Sequence, residues 1–322
     1  MKKYFLLCIV LSFSVRTAFS MQILTNADSD FPKISFAGFA RVRYTADTTQ
    51  GAKDGFSIGQ SRFGIIGNIS RNISYCFSLE GSNTDTINNK LIYDTYIDIK
   101  SIKYFMLRVG QFKYKFSLEQ SIPDADLELI NKSDIVNNSV KPTRDIGIEL
   151  SRSFSLKSIK SDVFLAVING SGLNQAEENS QKTVVGRILF LPVAGLSIGA
   201  SIYDGSVGLT SITKSRTGFE MKYEFKKFMC KAEYITGSDK TTKQEGYYVT
   251  AGYTLIPSVL ILLRYDSLDP DINLSNNEIG RWTWGVNYFI DKNVLLRNNY
   301  EQKTETPSIQ NDLFMTQLQV KF

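Results

Sequence analysis

Residues 314–322 read Phe-Met-Thr-Gln-Leu-Gln-Val-Lys-Phe, with Phe314, Leu318, Val320 and Phe322 alternating against Met315, Gln317, Gln319 and Lys321. A period of two places successive side chains on opposite faces of a strand. One face of this segment therefore suits hydrocarbon or a core, and the other suits water.

At the opposite end, Lys2 and Lys3 precede an apolar run from Tyr4 to about Val15, followed by Ala18-Phe19-Ser20. This three-part pattern predicts a signal peptide over 1–20 and a mature chain over 21–322 that starts near Met21. The run is shorter than the roughly 20 apolar residues a spanning helix needs. Beyond Gln22 no stretch approaches the 18 or so consecutive apolar residues of a membrane helix, so a helical membrane protein is excluded. Phe (21) and Tyr (16) are abundant and Pro (7) is scarce, as expected of an exported β-rich chain. With Lys2, Lys3 and Arg16 set aside, basic and acidic residues nearly balance, which gives no reason to expect a nucleic-acid partner.

The mature chain divides into about sixteen alternating segments of roughly ten residues, separated in turn by short and longer polar connections. They lie near 33–45, 57–69, 72–82, 90–100, 103–113, 143–152, 161–170, 181–191, 195–204, 216–225, 228–237, 245–255, 258–267, 280–290, 293–302 and 312–322. Every proline falls outside these segments, as it must where a missing N–H would break a ladder. Continuous apolar stripes such as Trp282, Trp284, Val286, Tyr288 and Ile290 alternate with polar residues. In a soluble sandwich the stripes would pack together; in a transmembrane barrel they face lipid and the polar alternates line a wet lumen. Aromatic residues near strand ends, the regular connection lengths and Phe322 at the end of the chain favour the second arrangement. The fold expected is all-β, a single transmembrane antiparallel barrel domain of about sixteen strands, in the bacterial outer membrane and in contact with its lipid. Phe322 is expected to act as an assembly signal.

The longest connection, 113–141, calls for a functional explanation. A barrel this wide leaves an aqueous channel unless something narrows it, so the loop is expected to fold inward as a constriction. Its charged residues are Lys113, Lys115, Lys132 and Lys141 against Glu119, Asp124, Asp126, Glu128 and Asp134, a slightly acidic set. Alternation turns Arg41, Arg43, Arg62 and Arg108 into the lumen, with Arg187, Arg264, Arg281 and Arg297 further round. Arginine suits an anion path because its charge does not titrate and its fork binds phosphate or carboxylate bidentately. Each has a plainer reading too, an ion pair with an inward carboxylate such as Asp94, Asp98, Asp145, Glu149 or Glu301. Together, an arginine wall facing an acidic 124–128 segment would set a field across the constriction.

Leu107-Arg108-Val109-Gly110-Gln111-Phe112-Lys113, continuing through Phe116-Ser117-Leu118-Glu119, resembles the strand and third-loop entry of the phosphate-selective porin O and P family. Phe63-Gly64-Ile65 with Gly67, Asp94-Thr95-Tyr96-Ile97, Arg144-Asp145-Ile146-Gly147, Asn169-Gly170-Ser171-Gly172 and Gly186-Arg187 support the resemblance. It implies a sixteen-stranded barrel, a homotrimer, an inward third loop and a channel for small anions such as phosphate. Lys115 departs from the pattern, since a proline would be expected before the aromatic, and the acidic loop is no obvious phosphate cradle.

The expected function is passive diffusion of small hydrophilic solutes, with anions preferred, and no catalysis, cofactor or metal. Without histidine a Ser-His hydrolase is impossible and the commonest metal ligand is missing. The alternative is a plugged structural or adhesive barrel, or a transporter of hydrophobic ligands.

Overall fold

The computed structural model describes residues 31–82, 91–157 and 159–322, together with the backbone of Gln22–Leu24. The expected signal segment 1–20 lies outside the described residues. Sixteen antiparallel strands close into one barrel. They are β1 (Lys33–Asp47), β2 (Gly55–Ile58 continuing through Arg62–Ser70), β3 (Ile73–Glu80), β4 (Ile92–Ile99), β5 (Met106–Lys113), β6 (Arg144–Leu156), β7 (Ile159–Ile168) and β8 (Thr183–Val193). The second half comprises β9 (Leu196–Val207), β10 (Ile212–Phe225), β11 (Phe228–Asp239), β12 (Thr242–Ile256), β13 (Val259–Asp269), β14 (Ile279–Asp291), β15 (Val294–Glu305) and β16 (Leu313–Lys321). Each strand pairs with its neighbour in sequence, and β16 returns to β1 with Leu313 opposite Asp47 and Lys321 opposite Phe39. Closure leaves no sheet edge, which is what a β-structure in hydrocarbon requires, because an unpaired backbone group there finds no water.

The sidedness is inverted relative to a soluble protein. On β14, Trp282, Trp284, Val286, Tyr288 and Ile290 are exposed while Arg281, Thr283 and Asn287 are buried. On β16, Phe314, Leu318 and Val320 are exposed while Met315, Gln317 and Gln319 are buried. Aromatic rings form a belt on the outward face: Tyr265 meets Trp282 at 4.8 Å and Trp284 meets Tyr300 at 5.7 Å. The Tyr300 hydroxyl donates to Asp312 (2.6 Å) and the Tyr234 hydroxyl to Glu245 (2.7 Å). Rings in the apolar zone with hydroxyls tied to rim carboxylates are what a membrane–water boundary selects. Among the described residues no helix is long and apolar enough to cross a membrane.

At the seam, Gly38 and Phe322 exchange both backbone hydrogen bonds at 3.0 Å. The Phe322 ring lies over Gly38, where a Cβ would come within 2.7 Å of it, and beside Phe63 at 6.5 Å. Glycine here is a seat for an aromatic ring.

Four local expectations change. Pro192, expected outside the strands, lies in the last residues of β8, where the ladder to β9 shifts register between Phe190 and Val193. The second strand is interrupted at 59–61, its two parts pairing with the upper and lower halves of β1. The connections expected to be long over 204–215 and 237–245 are tight, spanning only 208–211 and 240–241, because β9 to β12 continue as hairpins. Ser211 and Lys240 supply the positive φ (49° and 53°) that such turns require. Cys76 and Cys230, which alternation puts on opposite faces of the sheet, are both free, as that placement predicts.

Candidate functional site

The site begins where β5 leaves the wall. Gly110 has φ +132°, and a Cβ there would collide with the Thr95 carbonyl oxygen and the Tyr96 Cα, both backbone. Only glycine makes this kink. Gln111 then locks it: its amide nitrogen donates to the carbonyls of Ile92 (3.2 Å) and Tyr93 (3.1 Å) and to Asn174 Oδ1 (2.9 Å), and its oxygen accepts from Asn174 N (2.6 Å).

The chain then runs inward. Phe112, Tyr114 and Phe116 are fully buried and join Ile135, Val136 and Val140 from further along the loop. They pack on residues that face the barrel interior, including Ile168, Val185, Tyr203, Ile235 and Tyr248, with Tyr203 lying 5.7 Å from Tyr114 and 6.5 Å from Phe116. The lumen is therefore not uniformly polar. Alternation continues past Lys113 into the loop, and its apolar alternates convert one side of the wall into a small core worth roughly 1.5–3 kcal/mol per large side chain buried.

Polar wall residues dock the remainder of the loop. The helical turn α1 (Leu118–Ser121) presents its N-terminal end to Glu233, whose carboxylate accepts from Ser117 Oγ (3.0 Å), Leu118 N (3.0 Å) and Glu119 N (3.3 Å). Glu119 accepts from Ser133 N and Oγ at 2.8 Å each, and Arg264 donates to it at 3.1 Å. The short helix α2 (Asp134–Ser139) starts with Asp134 N donating to Asp266 (2.9 Å). Arg281 bridges Asp266 (3.1 Å), Glu301 (3.2 Å), Asp134 (3.2 Å) and the Lys132 carbonyl (2.7 Å).

Asp124 is the hub. Its buried carboxylate lies 2.9 Å from Arg62, 3.1 Å from Lys113, 3.6 Å from Lys132 and 3.9 Å from Arg144. Arg41 donates to its backbone carbonyl. The Tyr93 ring sits between the guanidinium groups of Arg62 (3.9 Å) and Arg144 (3.5 Å) and holds both in place. Burial alone would raise the Asp124 pKa, but Lys113, Lys132, Arg144 and Arg62 together hold it well below the usual carboxylate range. Removing one partner of so buried a group typically costs about 3–5 kcal/mol.

An arginine wall facing loop acids across open space is thus not what forms. The loop acid sits inside the cationic cluster, because a buried charge needs contact pairing. Arg62 also pairs with Glu80 (3.2 Å), Arg144 with Asp94 (2.9 Å), Arg108 with Asp98 (2.7 Å) and Arg187 with Glu220 (2.5 Å). In the loop, Asp126 pairs with Lys321, Glu128 with Lys231, and Lys132 also donates to Gln120 (2.5 Å). Lys115 has its ammonium 6.0 Å from the Phe164 ring; burial lowers its pKa, with Glu149 opposing.

Three arginines are different. Arg41, Arg43 and Arg297 have no carboxylate within ion-pair distance among the described residues. Arg41 donates to Gln319 (2.8 Å) and Gln60 (2.9 Å), Arg43 to Gln317 (3.1 Å), and Arg297 to Gln319 (3.1 Å) and the Leu127 carbonyl (2.7 Å). Neutral acceptors orient these guanidinium groups without cancelling their charge. Arg43 is partly exposed, whereas Arg41 and Arg297 are covered by the loop.

Sequence reasoning did not single out Glu233, Lys231, Arg216 or Asp266 as loop anchors. Arg216 donates to the Ser139 carbonyl (3.2 Å) and Lys214 to the Lys141 carbonyl. Their inward parity was readable, but their partner was not, since the loop residues they meet are far away in sequence.

The family model described as phosphate-selective porin O and P matches residues 35–206, more than half of the chain. Solved structures with a similar fold include an anion-selective porin from Comamonas acidovorans, at 13% identity and TM-score 0.67, covering 91% of this chain and 100% of that one. OmpF of Salmonella typhi aligns at 12% identity and TM-score 0.68, covering 94% and 100%. The trimer form of OmpT of Vibrio cholerae aligns at 9% identity and TM-score 0.66, covering 91% and 100%. A sequence comparison with curated proteins finds no match.

Proposed function

The chain belongs to the phosphate-selective porin O and P family, and from that premise we propose that it is an anion-preferring diffusion pore. Family and fold make it a channel of the bacterial outer membrane. The finer reading is that small hydrophilic anions, phosphate among them, pass through the space left between loop and wall. The observation that carries it is the group Arg41, Arg43 and Arg297, whose charges neutral glutamines and carbonyls hold in place. Uncancelled charge at a constriction is how a wide pore discriminates between ions. Arg62, Arg108, Arg187, Arg264 and Arg281 are spent on carboxylates, and in this reading they hold the loop and wall in shape. The loop 113–141 is the constriction, the functional unit is a homotrimer, and 1–20 is removed on export. No reaction is catalysed.

A second reading, a plugged barrel, is favoured by the apolar cluster that the loop buries inside the wall. One measurement separates the two. In a planar bilayer under a salt gradient, the pore reading expects ohmic conductance with a reversal potential of anionic sign. Cation preference overturns the anion assignment, and absence of current favours the plug.

A further inference from the structure

Arg152 lies on β6 in phase with Ile148 and Leu150, both exposed on the lipid-facing side, and out of phase with the buried Glu149 and Ser151. Directly across the ladder from it is Val163. An arginine in that register points away from the lumen, toward the bilayer. Among the described residues it has no carboxylate and no hydrogen-bond acceptor. Its surroundings are aromatic: the guanidinium lies 5.1 Å from the Tyr104 ring, 5.6 Å from Phe105 and 5.8 Å from Phe154. Lys103 places its ammonium 4.9 Å from the same Tyr104 ring.

The depth of this cluster is set by its neighbours. Tyr104 and Phe105 belong to the short turn between β4 and β5, and Met106 begins β5 opposite Ser151. Arg152 therefore stands level with the short-turn end of the barrel, the periplasmic end in barrels of this kind. There it would meet phospholipid headgroups, with its aliphatic stem lying along apolar surface and its charged end reaching the boundary. Aromatic faces orient the cation but do not neutralise it. A phosphate would, and arginine's fork matches one bidentately.

We propose that Arg152, framed by Tyr104, Phe105 and Phe154 and assisted by Lys103, is a docking site for the phosphate of a net-anionic phospholipid in the inner leaflet of the outer membrane. The site is on the outside of the wall and has no part in conduction. Its occupant is specified by chemistry: Arg152 on the outward face and Lys103 in the adjoining turn, neither with a carboxylate at ion-pair distance among the described residues, next to rings suited to the acyl–headgroup boundary.

The test is native mass spectrometry of the full barrel released from zwitterionic detergent, titrated with phosphatidylglycerol, phosphatidylcholine or inorganic phosphate. The expected result is retention of phosphatidylglycerol in preference to phosphatidylcholine, weakened roughly tenfold in Arg152→Gln, as loss of a charge-assisted contact implies. Conductance should be unchanged in that variant, so this result is independent of the pore reading. Lys103→Gln should weaken retention to a smaller extent, and it keeps the question answerable if Arg152→Gln does not assemble. Equal retention of the two lipids overturns the proposal. So does retention unaffected by either substitution, or displacement of the lipid by inorganic phosphate at equal concentration, which would mark a site for free anions.

Discussion

Arg41 and Arg297, on strands β1 and β15 that flank β16 and do not pair with each other, donate to the same Gln319 side-chain oxygen at 2.8 and 3.1 Å. Two like charges converge on one neutral acceptor, the reverse of the pairing that governs most of the wall. Among the described residues no carboxylate makes contact with either guanidinium group.

Replacing Gln319 by Glu should cancel part of this pair's charge. A carboxylate between the two guanidinium groups is expected to shift the reversal potential toward cations, by roughly a twofold change in permeability ratio per unit charge at about 8 Å in water. Arg41→Ala with Arg297→Ala should move selectivity the same way, and unchanged selectivity would place the filter elsewhere.

Asp124→Asn tests the hub. Leaving Arg62, Lys113, Lys132 and Arg144 without their shared carboxylate should destabilise loop docking by about 3 kcal/mol, read as a rise in protease cleavage within 113–141. Anion preference should increase in the same variant.

The pH dependence of that anchor has a definite sign. Because the folded pKa of Asp124 is depressed, its contribution is fully present above the ordinary carboxylate range and is lost only as pH falls through the lower, folded value. Loop protection measured by limited proteolysis should thus not decline between about pH 8 and about pH 5 and should fail only in stronger acid. A loss of protection near pH 6 would mean another group carries the anchor.

At the entry to the loop, Gly110→Ala forces a side chain into φ +132° against the Thr95 backbone. The strain, on the order of 1–3 kcal/mol, should be relieved by displacing Lys113 and the loop beyond it. The expected result is an assembled barrel with altered single-channel conductance.

The seam gives a stability test that leaves the lumen alone. Phe322→Ala should remove the ring that covers Gly38 and lower the heat-denaturation midpoint of the barrel on electrophoresis. The effect corresponds to about 1–2 kcal/mol, less than for a core phenylalanine because Phe322 is 45% exposed.

The walls of this barrel were legible because each strand declares its faces locally. Trp282 to Ile290 needed only alternation to be assigned outward. The hairpins at 208–211 and 240–241 were misjudged as loops because Thr, Ser and Lys at strand tips read as connections when only water faces them. The loop's inward direction could be argued from its length and from Gly110-Gln111-Phe112-Lys113. Its docking could not: Asp124 meets Arg62 from β2 and Arg144 from β6, Glu119 meets Arg264 from β13, and no local pattern links them. Opposite charges on wall and loop suggested a gap with a field, whereas desolvation demanded contact.

The docking of residues 112–140 also fixes an order of events. This segment is made between β5 and β6, yet most of its partners, Tyr203, Glu233, Tyr248, Arg264, Arg281 and Arg297, lie on β9 to β15, across sequence separations such as the 170 residues between Leu127 and Arg297. Contacts that distant form late, after the intervening chain has been ordered. The wall must be largely laid down before the loop has a surface to bind, so the nascent barrel is wide first and narrow afterwards. Its interior is filled in the final stage of its own assembly.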